Sequence, residues 1–196
     1  MIAARPTDRL KSSTTHRARA ATMTFEALLA AFAEAVAARD TQRFAALFTA
    51  DACYHDGFFG AHHGRAEIAA MLERFHAGGE RFAWQFLEPV ARGNTGYARY
   101  CFSYVSKEPE SAGEVIAFDG IARVRLSVGG LIADYDEAFD RGVAFMQLGY
   151  AGERVVKLLK RYAGELRASP QVQAHLAWRE QGAPLQAPSA AQTSER

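Results

Sequence analysis

Asp56 is the carboxylate whose position in the sequence best suits proton transfer. It ends a short segment with strand character, 51–56, and a glycine-rich stretch, 57–64, follows it. A carboxylate shielded by aromatic neighbours loses hydration, which raises its pKa and keeps it basic enough to take a proton from a bound molecule. An aspartate before a turn also commonly braces that turn by hydrogen bonding to its backbone. Both roles are open for Asp56.

Three histidines surround Asp56 in the sequence. His55 precedes it, and His62 and His63 follow, which gives the pattern H-D-x5-H-H. This spacing matches no standard zinc motif, and adjacent histidines on a loop do not easily face one ion. We therefore predict no metal site. Because imidazole titrates near neutral pH, His55 or His62 is predicted to help Asp56 move a proton.

A second candidate acid lies in the last predicted strand, 131–139. Alternation puts one apolar set of residues on one face of this strand, namely Leu131, Ala133, Tyr135, Glu137 and Phe139, and leaves Asp134 and Asp136 on the other. Glu137 is therefore predicted to point inward. A lone acid among aromatic residues is costly unless it is paired, and Arg99 is the predicted partner. The Arg99–Glu137 pair suits a structural role as well as a catalytic one.

Aromatic residues at strand spacing are predicted to line a pocket as well as to fill the core. Thirteen Phe and seven Tyr are more than three small helices and one sheet need for packing alone. Such a pocket suits a small hydrophobic molecule with one or two polar groups. The candidate substrate-binding residues are Phe32, Trp84, Phe86, Tyr100, Phe118 and Tyr135.

The elements predicted to position these candidate site residues are helices in the first part of the chain and strands in the second. Apolar residues recur at helical spacing from Thr24 to Ala38 and from about Arg65 to His76, with a short helix between them that Asp40 can cap. From residue 82 to residue 139 the pattern alternates with period two, and turn signals at 93–94 and 129–130 interrupt it. This order predicts an α+β fold.

Several short motifs between Phe32 and Phe139 together match one known family. They are Arg39-Asp40, then 46–52 (ALFTADA), 54–56 (YHD), 64–68 (GRAEI), 130–132 (GLI) and 135–140 (YDEAFD). With these motifs the chain resembles the SnoaL-like, nuclear transport factor 2-like superfamily, which includes ketosteroid isomerase, limonene epoxide hydrolase and polyketide cyclases. The resemblance implies a cone-shaped barrel: a strongly curved, mostly antiparallel sheet wrapped around three N-terminal helices, with a conical pocket inside. It also implies a homodimer through the outer face of the sheet.

The resemblance also suggests roles for single residues. In ketosteroid isomerase the general base is an aspartate at the end of the equivalent short strand, and Asp56 matches its position. The tyrosine of that enzyme falls on Phe32, which has no hydrogen-bond donor, and its acid falls near Ala122. The oxyanion hole of the isomerase is therefore not reproduced at the matching positions.

Limonene epoxide hydrolase offers a second template. Its Arg–Asp pair falls near Arg99 and Cys101, so a cysteine stands where a carboxylate is expected. Glu137 matches the acid in the last strand of the hydrolase. The catalytic triad implied by this resemblance is incomplete.

The chain divides into four predicted segments. Residues 1–22 are predicted to be a disordered N-terminal extension, residues 23–140 the cone domain, residues 141–180 a helical appendage, and residues 181–196 a disordered tail. Helical spacing gives the appendage an apolar face that includes Val155, Leu158 and Tyr162. It can cover the mouth of the cone as a lid or pack on a second subunit.

Composition excludes several classes of partner. The net charge of +1 gives no electrostatic sign of a nucleic acid or an anionic membrane as a partner. No apolar run is long enough to cross a bilayer. Two cysteines, Cys53 and Cys101, are too few for a disulfide framework and are predicted to be small buried residues, which favours the reducing cytoplasm.

Two functions from different classes fit these observations. We predict an enzyme of the isomerase, lyase or hydrolase type that needs no cofactor, with Asp56 as general base and His55, Glu137 and Arg99 as further catalytic candidates. The alternative is a non-catalytic ligand-binding or accessory module of the same fold. A structural protein whose cavity is filled by its own side chains is a third interpretation.

Overall fold

A computed structural model describes residues 23–182 of the chain. The predictions for residues 1–22 and for the tail beyond residue 182 lie outside this range. The elements are, in chain order, α1 (Phe25–Ala38), α2 (Thr41–Ala46), β1 (Phe48–Asp56), β2 (Gly60–His63), α3 (Gly64–Ala77), β3 (Gly79–Arg92), β4 (Thr95–Ser106), a 3₁₀ turn (Pro109–Ser111), β5 (Val115–Leu126), β6 (Ile132–Phe139), α4 (Arg141–Gln147), α5 (Gly152–Ala168) and α6 (Pro170–Glu180). None of the helices within this range is long and apolar enough to cross a bilayer.

The first two helices begin where the sequence supplies a capping side chain. The Thr24 hydroxyl accepts a hydrogen bond from the Ala27 amide at 3.2 Å, and the Asp40 carboxylate accepts one from the Arg43 amide at 2.8 Å. Each bond satisfies an amide that has no partner inside its helix. Both caps agree with the sequence prediction, and α1 then packs its apolar face on β3.

Six strands form one curved sheet in the order β2-β1-β6-β5-β4-β3. Every neighbouring pair is antiparallel except β1 and β6, which run parallel. The predicted α+β class and the mostly antiparallel sheet are confirmed. The sheet does not close into a barrel, because β2 and β3 are its two edges. Helix α3 packs on both β1 and β3 and so bridges the open side.

Three strands differ from the sequence prediction. Strand β1 begins at Phe48 and not at residue 51. The sequence predicts a loop at residues 57–64, but they contain β2. Tyr54 of β1 and His62 of β2 are direct neighbours across the two strands and are both buried, which explains the pairing. The edge strand β3 is longer than expected and has positive φ angles at Arg81 and Glu88, where its register with β4 shifts. Such bulges increase the local twist of an edge strand and help to curve the sheet.

The alternation of side chains along β6 shifts by one residue. Ile132 and Tyr135 are both fully buried although they are three residues apart. The β5–β6 register changes between them and leaves Ala133 as an extra residue. The predicted inward face is therefore wrong for Leu131 and Ala133 and holds from Tyr135 onward.

Phe32 lies at the centre of the aromatic core. It is fully buried, its ring stacks on Tyr135 with centroids 5.2 Å apart, and it meets Trp84 edge-on at 5.1 Å. Tyr135 stacks in turn on Tyr54 at 4.6 Å. Aromatic pairs of this kind contribute roughly 0.5–1.5 kcal/mol each beyond the burial of their area. These rings therefore hold α1 against the inner face of β1, β3 and β6.

The C-terminal helices pack over one end of the sheet. A second apolar cluster joins Ile116 of β5 to Phe145 and Leu148, at α4 and its end, and to Val155 of α5. Tyr162 of α5 donates a hydrogen bond to the Phe58 carbonyl at 3.0 Å. The appendage thus covers its own chain at the β1–β2 turn, which is the arrangement that the lid interpretation requires.

Gly120 of β5 allows Tyr100 of β4 to lie across it. A Cβ atom at position 120 would come within 2.6 Å of both the Ala138 carbonyl oxygen and the Tyr100 hydroxyl. We expect Gly120→Ala to lower the free energy of unfolding by about 1–3 kcal/mol, because a backbone carbonyl cannot move aside as a side chain can.

The control is Gly164→Ala in α5, where a Cβ atom meets nothing within 4 Å. This change should stabilise the protein by roughly 0.5–1 kcal/mol through helix propensity. Urea denaturation of the wild type and both variants measures the difference. A Gly120→Ala protein as stable as the wild type would contradict the packing at this position.

Candidate active site

A small cavity lies between the helices and the inner face of the sheet. Its volume is about 30 Å³, which is room for two water molecules at ~10–15 Å³ each. Aromatic and aliphatic side chains form most of its wall, and two carboxyl groups, those of Asp56 and Glu137, interrupt it. The other residues that line the cavity are Val36, Phe44, Tyr54, Phe58, Met71, Leu72, Phe75, Trp84, Phe102, Phe118 and Phe139.

Asp56 faces the cavity and also braces the turn that follows β1. Its Oδ1 accepts hydrogen bonds from the amides of Phe58 and Phe59 at 2.7 Å and 2.8 Å. Burial raises the pKa of Asp56, while the two amides and then the charges of His62 and Arg141 oppose the rise. The two roles proposed from the sequence are thus compatible, because Oδ1 holds the turn and Oδ2 lies outside those two bonds.

Glu137 lies on the adjoining strand, β6, and faces the same cavity. Its Oε1 accepts a hydrogen bond from the Gly57 amide at 3.4 Å, and the Tyr135 hydroxyl donates to Oε2 at 3.4 Å. Burial, followed by the negative charge of Asp56, raises the pKa of Glu137 to about 8. Glu137 therefore holds a proton at neutral pH and can donate it or share it in a hydrogen bond.

Three buried polar atoms near the carboxyl groups have no hydrogen-bond partner among residues 23–182. They are the Tyr100 hydroxyl, which lies beside Glu137, Nε1 of Trp84, whose side chain lines the cavity, and Nε2 of His62, which lies near Asp56. Burial and the proximity of Glu137 raise the pKa of Tyr100, so this hydroxyl stays protonated. An unpaired buried donor costs free energy unless water or a ligand satisfies it. The cavity wall is therefore suited to a molecule that carries an oxygen acceptor.

The β1–β2 turn separates the cavity from solvent. The Phe58 ring lies 5.0 Å from that of Phe139 and 5.5 Å from that of Phe145 in α4, measured between centroids. Arg141 donates a hydrogen bond to the Gly57 carbonyl, next to the bond from α5 to the carbonyl of Phe58. Asp56 and Phe58 also line a surface cleft beside α5. The turn is thus a wall with the cavity on one side and an open cleft on the other.

Four of the predicted site residues line the cavity: Asp56, Glu137, Trp84 and Phe118. The predicted substrate-binding residues Phe32, Phe86, Tyr100 and Tyr135 instead pack in the core next to this wall. Their rings fill the space in which the sequence analysis expected a larger pocket. They support the wall and do not form it.

The predicted ion pair between Arg99 and Glu137 is wrong. Arg99 lies on the outer face of β4 with 54% of its side chain exposed, 3.7 Å from Glu88 and 3.9 Å from Asp119. Alternation along β4 is the reason, since the buried residues on either side of it point inward. Cys101, two residues on, is exposed on the same face, so its predicted burial is also wrong.

Alternation also puts the His55 side chain on the face opposite the Asp56 carboxylate, so the structure does not bring these two groups together. Nε2 of His55 lies 3.3 Å from Oδ2 of Asp134 and 3.3 Å from Sγ of Cys53, on the outer face of the sheet. His62, on the inner side of β2, is the histidine whose charge acts on Asp56. Of the two histidines considered for proton transfer, only His62 is placed near the carboxylate.

Phe58 and Phe139 line the cavity, although their positions in the sequence do not predict this role. Phe58 belongs to a glycine-rich stretch whose composition predicts a loop. The only feature of the sequence that hints at a buried residue there is the pair of adjacent aromatic residues, Phe58-Phe59. Gly57 is what allows this turn to lie on the Phe139 ring, because a Cβ atom there would clash with it. The turn and the last strand therefore close the wall together.

The raised pKa of Glu137 predicts a pH dependence of stability. The folded protein holds a proton on Glu137 up to about pH 8, whereas the unfolded chain releases it near its ordinary pKa of 4.5. The contribution of Glu137 is therefore fully present below pH 4.5 and is lost as the pH rises to about 8. Each pKa unit corresponds to ~1.4 kcal/mol, so we expect a loss of a few kcal/mol.

Glu137→Gln is the matched control, because the amide keeps the size of the side chain and does not titrate. Chemical denaturation at a series of pH values, for the wild type and this variant, measures the difference between their unfolding free energies. The difference should shift in favour of the variant as the pH rises. Parallel curves would show that Glu137 titrates normally in the folded protein.

Comparison with known proteins identifies the family to which this fold belongs. No curated protein sequence matches the chain significantly. A family model described as a SnoaL-like domain matches residues 29–135.

Solved structures share the fold at low sequence identity. A hypothetical protein with a ketosteroid isomerase-like fold from Catenulispora acidiphila, in complex with trimethylamine, has a TM-score of 0.59 and 20% identity, and the match covers 66% of this chain and 98% of that one. A limonene epoxide hydrolase-like epoxide hydrolase from M. tuberculosis has a TM-score of 0.52 and 18% identity, with coverage of 67% and 91%. A protein named as a SnoaL-like polyketide cyclase from Shewanella denitrificans has a TM-score of 0.55 and 17% identity, with coverage of 63% and 95%.

At sequence identities of 20% or less, the similarity to these solved structures shows the fold and nothing about activity. The matched segment runs from α1 to the centre of β6, so it contains the strand that carries Asp56 and ends before Glu137. The family model covers more than half of the 196 residues. This chain therefore belongs to the SnoaL-like domain family.

Proposed function

We propose that this protein is a SnoaL-like enzyme that moves a proton within a small hydrophobic substrate and needs no cofactor. Asp56 acts as the base, and Glu137 acts as the acid. The observation that carries the proposal is the presence of both carboxyl groups on one apolar cavity, with the pKa of Glu137 raised to about 8. Pairs of acids whose environments hold them in different protonation states are typical of acid–base sites.

The proposed chemistry follows from this division of roles. The Asp56 carboxylate takes a proton from a carbon next to a carbonyl group, or from a water molecule. The Glu137 carboxyl group hydrogen-bonds to the substrate oxygen and can give it a proton as negative charge develops there. The Tyr100 hydroxyl lies in the core beside Glu137 and does not line the cavity, so it acts on the orientation of Glu137 and not on the substrate. In an isomerisation, Asp56 then returns its proton to a carbon of the substrate, and Glu137 recovers its proton from the oxygen. In a hydrolysis, the hydroxide bonds to carbon as the carbon–oxygen bond breaks, and the proton on Asp56 passes back to Glu137 through water.

Two features support a hydrophobic substrate with one reactive oxygen. The wall is mostly aromatic, and its charged groups are confined to one carboxyl pair. The fold is also that of proteins named as an epoxide hydrolase and a polyketide cyclase. A ketone, an enol or an epoxide on an apolar skeleton fits this combination, and isomerase, lyase or hydrolase chemistry is proposed accordingly.

The substrate must displace part of the wall in order to enter. A cavity of about 30 Å³ is far smaller than the roughly 300–1,000 Å³ typical of ligand pockets. The β1–β2 turn is the proposed entrance, because Phe58 lies between the cavity and the surface cleft beside α5. Movement of this turn requires the hydrogen bonds from Arg141 and Tyr162 to break.

The small cavity also favours a second candidate, a ligand-binding or accessory module without chemistry. In that case Glu137 and Asp56 only orient a bound molecule. Two further expectations from the sequence stay predictions: a cytoplasmic location, and a homodimer through the outer face of the sheet. The dimer is supported by three exposed apolar residues on that face, Tyr97, Val115 and Ile121, and its mass in solution would test it.

Ligand-induced stabilisation and turnover together test the proposal. We would screen the wild type, Asp56→Asn and Glu137→Gln against steroids, terpenoid epoxides, polyketides and aromatic acids. Asn keeps an oxygen that can accept the amides of Phe58 and Phe59, so Asp56→Asn removes the base and preserves the turn. A stabilising ligand should bind all three proteins, and turnover should fall by about 10²–10⁴-fold in Asp56→Asn.

The outcomes separate the two candidates. Equal turnover by Asp56→Asn and the wild type would exclude Asp56 as the base. Stabilisation of all three proteins without turnover would support the ligand-binding module. Loss of turnover in Asp56→Asn, with ligand binding unchanged, would establish the enzyme.

A further inference from the structure

A cluster of three metal-ligating side chains lies on the outer face of the sheet, away from the cavity. Cys53 and His55 are two residues apart on β1, so both point outward while Tyr54 between them is buried. Strand β6 runs parallel to β1 and places Asp134 directly beside Cys53. Three different donor atoms, a thiol, an imidazole and a carboxylate, thus meet at one point.

Two of the three distances within this cluster are close to those around a tetrahedral zinc ion. Zinc binds sulfur at ~2.3 Å and nitrogen or oxygen at ~2.0–2.2 Å, which separates neighbouring ligand atoms by about 3.3–3.6 Å in a tetrahedron. The observed separations are 3.3 Å from Cys53 Sγ to His55 Nε2 and 3.3 Å from His55 Nε2 to Asp134 Oδ2. All three ligand atoms lie within 4.8 Å of one another.

The surroundings orient the carboxylate and favour a cation. Arg123 donates a hydrogen bond to Oδ1 of Asp134 at 2.8 Å and lies 3.6 Å from Asp136, so Oδ2 of Asp134 is left facing His55. Outer contacts of this kind fix the orientation of metal ligands. Burial, followed by the negative charges of Asp134, Asp136 and Glu67, raises the pKa of the Cys53 thiol, so its thiolate needs a cation beside it to form.

A further histidine lies on the same face of the neighbouring strand, outside the group of three close ligand atoms. His63 of β2 is directly opposite Cys53 in the antiparallel register, which puts both residues on the same face. The sequence analysis considered the histidines near Asp56 as one group and predicted no metal. The structure divides them, since His62 is buried on the inner side while His55 and His63 lie outside.

We propose that Cys53, His55 and Asp134 bind a divalent transition-metal ion of the zinc type, with His63 or water in the fourth position. The mixed thiolate, imidazole and carboxylate set suits zinc over calcium or magnesium, which prefer oxygen ligands alone. This site is separate from the proposed catalytic cavity, because Tyr54 and the thickness of the sheet lie between them. Binding displaces the proton of the Cys53 thiol to the solvent as the metal–sulfur bond forms.

Cobalt binding to the full chain tests this site. The protein is stripped with a chelator, freed of any polyhistidine tag and titrated with Co²⁺ while its absorption is recorded. The expected result is one ion per chain, with the charge-transfer band of a cobalt–thiolate bond and the visible bands of tetrahedral cobalt, both removed by Zn²⁺. Cys53→Ser should lose the charge-transfer band and bind at least about tenfold more weakly.

Matched variants make the result specific. Cys101→Ser removes the other cysteine and should keep the band, and Asp134→Asn should weaken binding without removing the band. Asp56→Asn should bind cobalt as the wild type does, which separates this site from the proposed catalytic one. No charge-transfer band in the wild type, or an equal band in Cys53→Ser, would overturn the proposal.

Discussion

The backbone amides of the β1–β2 turn hold both carboxyl groups of the cavity. The amide of Gly57 binds Glu137, and the amides of Phe58 and Phe59 bind Asp56. Three consecutive amides therefore fix two acids that come from residues 81 positions apart and bring them to one wall. The close approach of the acids, the raised pKa of Glu137 and the closure of the cavity by Phe58 all depend on this turn.

The same turn links the cavity to the C-terminal helices. Its two carbonyl groups, those of Gly57 and Phe58, accept hydrogen bonds from Arg141 and Tyr162, while its amides face the acids. A movement of α5 therefore changes both the entrance and the environment of the carboxyl pair. This connection is what the proposed entry of a substrate through the turn depends on.

The sequence predicts the helices and most of the sheet because their signals are local. Capping by Thr24 and Asp40 and the two-residue turn at 93–94 depend on neighbours within a few residues. Glu137 lies on the predicted inner face because alternation is regular from Tyr135 onward. Motif resemblance supplies the overall architecture, and the match to the family model confirms it.

The parts that the sequence does not predict depend on contacts between distant residues. Arg99 and Glu137 have opposite charges, yet they lie on opposite faces of the sheet. Their positions follow only when the alternation along β4 is combined with the pairing of β4 and β5. The Cys53–Asp134 neighbourhood arises only from the parallel pairing of β1 and β6, which no short motif signals. The size of the cavity depends on side-chain packing around Phe32, which composition does not reveal.

The proposed chemistry depends on a carboxyl pair in which burial, and then the neighbouring charge of Asp56, raises the pKa of Glu137 to about 8. A carbon-13 NMR titration of the glutamate and aspartate side-chain carboxyl groups measures this directly, with Glu137→Gln to assign the signal. We predict that Glu137 titrates near pH 8 in the wild type and at a clearly lower pH in Asp56→Asn, where the neighbouring charge is absent. Titration of Glu137 near its ordinary value in the wild type, or at the same pH in both proteins, would contradict the account.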